Sequence, residues 1–164
     1  MTVLTASYAR LVHTSEQWGA VKRLFLEYVV ELGEDYDVAG SNLIDEIEAL
    51  PAPYTGRGFV LLGYDRDDAV GCLGLKDFGG DAGEIRRMFV SPQGRGKKLG
   101  ACMLSELIMQ ARAKGFRKLY LDSLHRFKSA HKIYYDAGFT LTDPYDPGTT
   151  QAMKESMIFM EKVL

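Results

Sequence analysis

The residues whose types and spacing could do chemistry begin at Val90-Ser91-Pro92-Gln93-Gly94-Arg95-Gly96-Lys97-Lys98-Leu99-Gly100. This run follows a strand-like segment, Glu84 to Val90, and leads into a helix-like one, Ala101 to Lys114. A glycine-rich turn that opens a helix leaves backbone N–H groups free at the positive end of the helix dipole. Such a turn binds anions, phosphate above all. Arg86, Arg87, Lys97 and Lys98 add positive charge nearby. Spacing excludes two phosphate motifs. A Walker loop needs Gly-x-x-x-x-Gly-Lys-Ser/Thr, and no such run is present. A dinucleotide fingerprint needs Gly-x-Gly-x-x-Gly, and Gly94, Gly96 and Gly100 are spaced one residue too long for it. The pattern left is Val-x-Pro-x-x-Arg-Gly-x-x-Leu-Gly; by itself it also fits a plain strand–turn–helix connection.

A second motif lies downstream, Ala130-His131-Lys132-Ile133-Tyr134-Tyr135-Asp136-Ala137-Gly138-Phe139. Ala130 and Tyr134 are four apart and share one helical face. Gly138 is placed to end that helix as a left-handed residue, and a strand is expected to start at Phe139. Together, in this order and with a strand between them, the two motifs resemble the GNAT superfamily of acyl-CoA-dependent N-acetyltransferases. The first is similar to its pyrophosphate loop and the second to its Ala-x-x-x-Tyr-x-x-x-Gly-Phe helix. The resemblance covers nearly the whole chain and is strongest from Glu84 to Phe139. It is nearest to a bacterial branch, through Glu84 to Val90, Leu121 to Leu124 and Pro144-Tyr145.

The resemblance implies acetyl-CoA as co-substrate, no metal, and direct acetyl transfer to a primary amine. It implies that the backbone of Met88, Phe89 and Val90 pairs with the pantetheine arm. It places Arg95, Gly96, Lys97, Lys98, Leu99, Gly100 and Ala130 against the cofactor, and Tyr134 beside its sulfur. A phenol stays protonated at neutral pH and can donate to a leaving thiolate. Glu84 resembles the strand carboxylate that takes the amine proton through water; the alternative is an ion pair with Arg86, two residues on and on the same strand face. Asp122 is a further carboxylate near the cleft, while His125 and His131 flank the motif helix. Two positions depart from the family pattern. Lys98 stands where the loop has glycine, which helical dihedrals would permit, and Phe127 stands where many relatives have asparagine.

The elements that must position these residues follow from periodicity. Tyr8 to His13 reads as a strand. Thr14 and Gln17 form a capping box for a helix carrying Val21, Leu24, Phe25, Tyr28, Val29 and Leu32, stopped by Gly33. Glu34 to Gly40 reads as an acidic loop and Ser41 to Leu50 as a short helix. Phe59 to Tyr64 and Ala69 to Phe78 read as a hairpin across Asp65 to Asp68. After the long helix come a strand at Lys118 to Leu124, the motif helix at Lys128 to Ala137, and a last strand at Met157 to Val163. That order predicts an α+β fold: a mixed, mostly antiparallel central sheet with helices on both faces and one βαβ crossover.

At 164 residues the chain is expected to form a single domain, 1–164. A net charge of −2 argues against a nucleic-acid or membrane surface, and a homodimer is left open. Cys72 and Cys102 fit neither a metal site nor a disulfide framework, and Met1 to Ser7 has no signal-peptide core, so a cytoplasmic setting is expected. Glu27, Glu31, Glu34, Asp35, Asp37, Asp45, Glu46 and Glu48 suggest an acidic mouth for a cationic small-molecule amine. Arg86 or Arg87 could instead clamp a carboxylate, which would suggest an amino acid acceptor. Two other readings stay open: an acetyltransferase of a protein amine, and a non-catalytic acyl-CoA sensor or regulatory module.

Overall fold

The computed structural model describes residues 7–39 and 42–164. Most of the expected polar N-terminus, the end of the acidic loop at Gly40, and Ser41 lie outside the described residues. Strand β1 (Ser7–Leu11) leads into α1 (Ser15–Leu32). The capping box forms as expected: the Thr14 hydroxyl accepts from the Gln17 N–H at 3.1 Å, and Gln17 Oε1 accepts from the Thr14 N–H at 2.9 Å. The rest of the chain runs α2 (Tyr36–Ala39), α3 (Leu43–Ala49), β2 (Phe59–Asp65), β3 (Asp68–Gly79), β4 (Ala82–Val90), α4 (Leu99–Ala113), β5 (Lys118–Leu124), α5 (Lys128–Asp136), β6 (Thr140–Leu141), α6 (Gln151–Ser156) and β7 (Met157–Val163).

The seven strands form one sheet in the order β1-β2-β3-β4-β5-β7-β6. Only β4 and β5 pair in parallel, joined by the α4 crossover; the other pairs are antiparallel. Successive side chains of a strand point to opposite faces, so β2 feeds two cores. Phe59 and Leu61 pack with Leu99, Met103, Leu104 and Leu107 of α4 and with Tyr134 of α5. Val60 and Leu62 pack with Val21, Leu24 and Phe25 of α1 and with Leu43 and Ile47 of α3. The sheet is therefore mixed and mostly antiparallel, with helices on both faces, as the sequence predicts.

Two segments differ from expectation. The acidic loop is helical, a 3₁₀ turn at Gly33–Asp35 followed by α2. Tyr36, Val38 and Ala39 pack against the α1 core, and the Tyr36 hydroxyl accepts the Ile44 N–H at 3.2 Å, which gives that segment a reason to fold. Helix α6 was not expected; Thr150 caps it by accepting the Met153 N–H at 3.2 Å.

Candidate active site

The site arises where β4 leaves β5. Their ladder holds only from Ala82↔Lys118 to Glu84↔Tyr120. Beyond it, β4 carries a bulge: Cys72 faces Phe89 and Gly74 faces Arg86, so Arg87 and Met88 stand opposite Leu73 alone. Arg87 has φ 60°, in the left-handed region. The β5-side edge of Ile85 to Val90 is thus left unpaired, a row of N–H and C=O groups open to an added strand.

A buried network holds the bulge. The Arg87 guanidinium donates to Glu46 Oε2 from Nε at 3.1 Å and Nη2 at 2.7 Å, and to the Ala39 carbonyl at 3.3 Å. The Tyr54 hydroxyl and Lys76 meet the other Glu46 oxygen. Burial opposes ionisation of Glu46, but Arg87, the Tyr54 hydrogen bond and Lys76 together hold its carboxyl below the ordinary range. Glu46 therefore belongs to the protein's interior and not to an acidic mouth.

On one side of the free edge lies a cavity of about 480 Å³, lined by Met88, Phe89, Val90, Gly94, Arg95, Gly96, Lys98, Leu99, Gly100 and Ala130 among others. Nine of the residues expected at the cofactor thus meet around one space; Lys97 does not line it, and its ammonium contacts Asp65. No side chain caps α4, whose first residues, Leu99 and Gly100, line the cavity. Lys98 has φ 58° and ψ 26°, left-handed and not helical. The family glycine is thus replaced where glycine is conformationally preferred. Arg95 donates to the Val90 carbonyl at 3.0 Å and to Glu31 at 2.7 Å; Arg126 pairs with Asp35 at 2.8 Å. Lys98 and Lys128 have no ion-pair partner among the described residues. Glycine at position 100 permits close approach of α4 and α5: a Cβ there would lie 2.9 Å from Ile133 Cδ1.

On the other side lies a cavity of about 340 Å³, lined by Tyr134, Glu84, Asp122, Arg86, Arg87, Asp146 and others. Tyr28, Met88, Phe127 and Ala130 line both spaces and so form their junction. Phe127, where relatives have asparagine, gives the junction an apolar wall, its ring tilted against Tyr28 at 6.4 Å. A Schellman turn ends α5 as the sequence predicts: Gly138 has φ 90°, its N–H bonds the Tyr135 carbonyl, and the Phe139 N–H bonds the Tyr134 carbonyl at 3.0 Å. Tyr134 is 4% exposed, and its hydroxyl has no hydrogen-bond partner among the described residues. Burial, reinforced by Tyr28 and Asp122, pushes its pKa up, so the phenol stays protonated.

The two carboxylates differ. Glu84 is engaged at both oxygens, by Arg86 Nη1 at 2.8 Å and by the Tyr145 hydroxyl at 2.9 Å. The Arg86 ion pair is the alternative the strand spacing suggested. Asp122 makes no hydrogen bond or ion pair among the described residues, and burial, with the Glu84 charge, pushes its pKa up to about 6. Of the acidic residues on the first helices, Glu27 accepts from Ser91 at 2.6 Å, while Glu31 and Asp35 pair with arginines. None of the eight lines this cavity; its carboxylates are Glu84, Asp122 and Asp146. His131 is buried, its Nε2 3.1 Å from the Ser123 hydroxyl, and burial lowers its pKa; His125 is exposed.

A split parallel pair, an uncapped helix opening a glycine-rich loop and a buried tyrosine at the junction of two cavities define an acyl-CoA-dependent transferase. The GNAT acetyltransferase family model matches residues 21–139, and the chain belongs to that family, as an acyl-CoA N-acyltransferase. It is 34% identical to an uncharacterised N-acetyltransferase of Schizosaccharomyces pombe over 76% of this chain and 77% of that one. It is 30% identical to an IAA acetyltransferase of Azospirillum brasilense over 88% and 91%. Among solved structures, a Salmonella typhimurium acetyltransferase described with acetyl-CoA aligns with TM-score 0.75 and 18% identity over 97% of this chain and 94% of that one, a likeness of fold. Among the described residues, no helix is long and apolar enough to cross a membrane.

Proposed function

We propose that the protein moves an acetyl group from acetyl-CoA directly to a small primary amine. The observation that carries this reading is the free edge of β4 running between the two joined cavities. The uncapped start of α4 binds the pyrophosphate, and the unpaired edge of Met88 to Val90 takes the pantetheine arm as an added strand. An N–H on that edge polarises the thioester carbonyl. Asp122 accepts the ammonium proton and leaves a neutral amine to attack the carbonyl carbon. As the C–S bond breaks, the Tyr134 hydroxyl donates to the departing sulfur, and the proton shed by the nitrogen that has bonded to the carbonyl carbon restores the phenol. Glu84, held by Arg86 and Tyr145, keeps negative charge beside Asp122 and so helps hold its pKa near neutrality.

A cavity of about 340 Å³, bounded by α2 and the Asp146 to Met153 segment, suits a small molecule better than a protein chain. The free thiols Cys72 and Cys102 accord with a cytoplasmic setting. The test is thiol release from acetyl-CoA across a panel of primary amines, with the product confirmed by mass. Amine-dependent release supports the reading. Acetyl-CoA binding with no amine-dependent release would identify a binding module.

A further inference from the structure

We infer that the acceptor is a diamine, one amine placed between Asp122 and Tyr134 and the second, as an ammonium, against Asp146 at the mouth of the same cavity. The inference rests on the acetyltransferase reading and names the substrate class of its acceptor cavity. The charges lining that cavity are Glu84, Asp122, Asp146, Arg86 and Arg87. Arg87 is committed through all three guanidinium nitrogens and Arg86 through one. Arg87 gives Nε, Nη1 and Nη2 to Glu46 and the Ala39 carbonyl, and Arg86 gives Nη1 to Glu84. A fork on Arg87 would have to break its pair with Glu46, buried at 4% and 3% exposure; a carboxylate could be met only by the Nε and Nη2 of Arg86, whose charge is already shared with Glu84.

The carboxylates are not balanced in the same way. Glu84 already has a cation partner in Arg86. Asp122 has no partner among the described residues. Asp146 uses Oδ1 to accept the Gly148 N–H at 2.8 Å and pairs with no cation among the described residues. Two carboxylates without an ion-pair partner among the described residues remain, one inside and one at the exposed rim. The hydroxyl of the buried Tyr134, unpartnered among the described residues and open to the same space, marks the inner end as the place of reaction. One carboxylate serves the reacting nitrogen, and the other is left for a second positive charge. Tyr28 and Phe127 add ring surface to the wall of the same cavity.

The test compares three amines of similar length: putrescine, n-butylamine and γ-aminobutyrate. Steady-state thiol release from acetyl-CoA is measured at low ionic strength. Putrescine is expected to have the highest kcat/KM and γ-aminobutyrate the lowest. An exposed ion pair is worth at most about 1 kcal/mol, about fivefold, so Asp146→Asn should lower the putrescine-to-butylamine ratio by up to about fivefold. Asparagine keeps the Oδ1 acceptor for Gly148, so a purely structural role would leave that ratio unmoved. Equal or better use of γ-aminobutyrate, or an unchanged ratio in Asp146→Asn, overturns the inference and leaves the acetyltransferase reading standing. No thiol release with any amine, these or others, overturns both.

Discussion

Asp122→Asn tests the base, because its effect on stability is set by the same physics as its effect on rate. Burial and the neighbouring Glu84 raise the Asp122 carboxyl from 3.8 to about 6. That corresponds to about 3 kcal/mol by which the fold disfavours the ionised form. The sign follows from proton binding. Between the two values the folded state holds more protons than the unfolded chain, so stability falls as pH rises from about 4 to 6. Above that range the cost is fully present. Asparagine is neutral and nearly isosteric, so Asp122→Asn should be more stable at pH 7.5 by up to about 3 kcal/mol. For a chain of this size, that raises Tm by roughly 6–12 °C. The gain should shrink to about half at pH 5, where the native carboxyl is mostly protonated. The acid limb of the kcat/KM profile, near pH 6, should disappear with the base. Urea unfolding at both pH values and initial rates from pH 5 to 9 measure this. Destabilisation at pH 7.5, or a stability gain independent of pH, would refute the reasoning.

Lys98→Gly removes a side chain from a left-handed position, so stability should rise by about 0.5–1 kcal/mol in thermal unfolding. Acetyl-CoA affinity, read by calorimetry, should stay within a few-fold; a loss beyond tenfold would make the Lys98 ammonium a direct phosphate ligand. Gly100→Val forces its side chain into Ile133 and should cost about 1–3 kcal/mol while raising the KM for acetyl-CoA. An unchanged KM would separate that loop position from the cofactor. Glu46→Ala strands the buried Arg87 charge and should cost about 3–5 kcal/mol by chemical denaturation. A cost under about 1 kcal/mol would mean that water reaches Arg87.

What was legible in the sequence was local. Thr14 with Gln17, and Gly138 after Tyr134, are signals a few residues long, and each closes its helix as its spacing implies. The order of elements needed only periodicity, and the Glu84–Arg86 pair only the two-residue repeat of a strand. What was hidden depends on distance along the chain. Arg87 and Glu46 are 41 residues apart, and each alone suggested a different substrate role; folded, they neutralise each other. Tyr145 reaches Glu84 across 61 residues and, with Arg86, occupies the carboxylate that strand position favoured as base. Asp122 differs from Glu84, which is itself buried, by its missing partners, which spacing does not encode. The left-handed backbone at Lys98 was masked by its side chain, since lysine gives no signal for that conformation.

The central claim is that the Tyr134 hydroxyl acts on the sulfur that leaves. Tyr134→Phe deletes only that hydroxyl and keeps the ring, which packs against Phe139 at 5.8 Å. The measurement is single-turnover acetyl transfer to a saturating amine, alongside the acetyl-CoA Kd. The account predicts a rate lower by roughly 10²-fold or more with Kd nearly unchanged. An unchanged rate, or a loss found entirely in Kd, would contradict it.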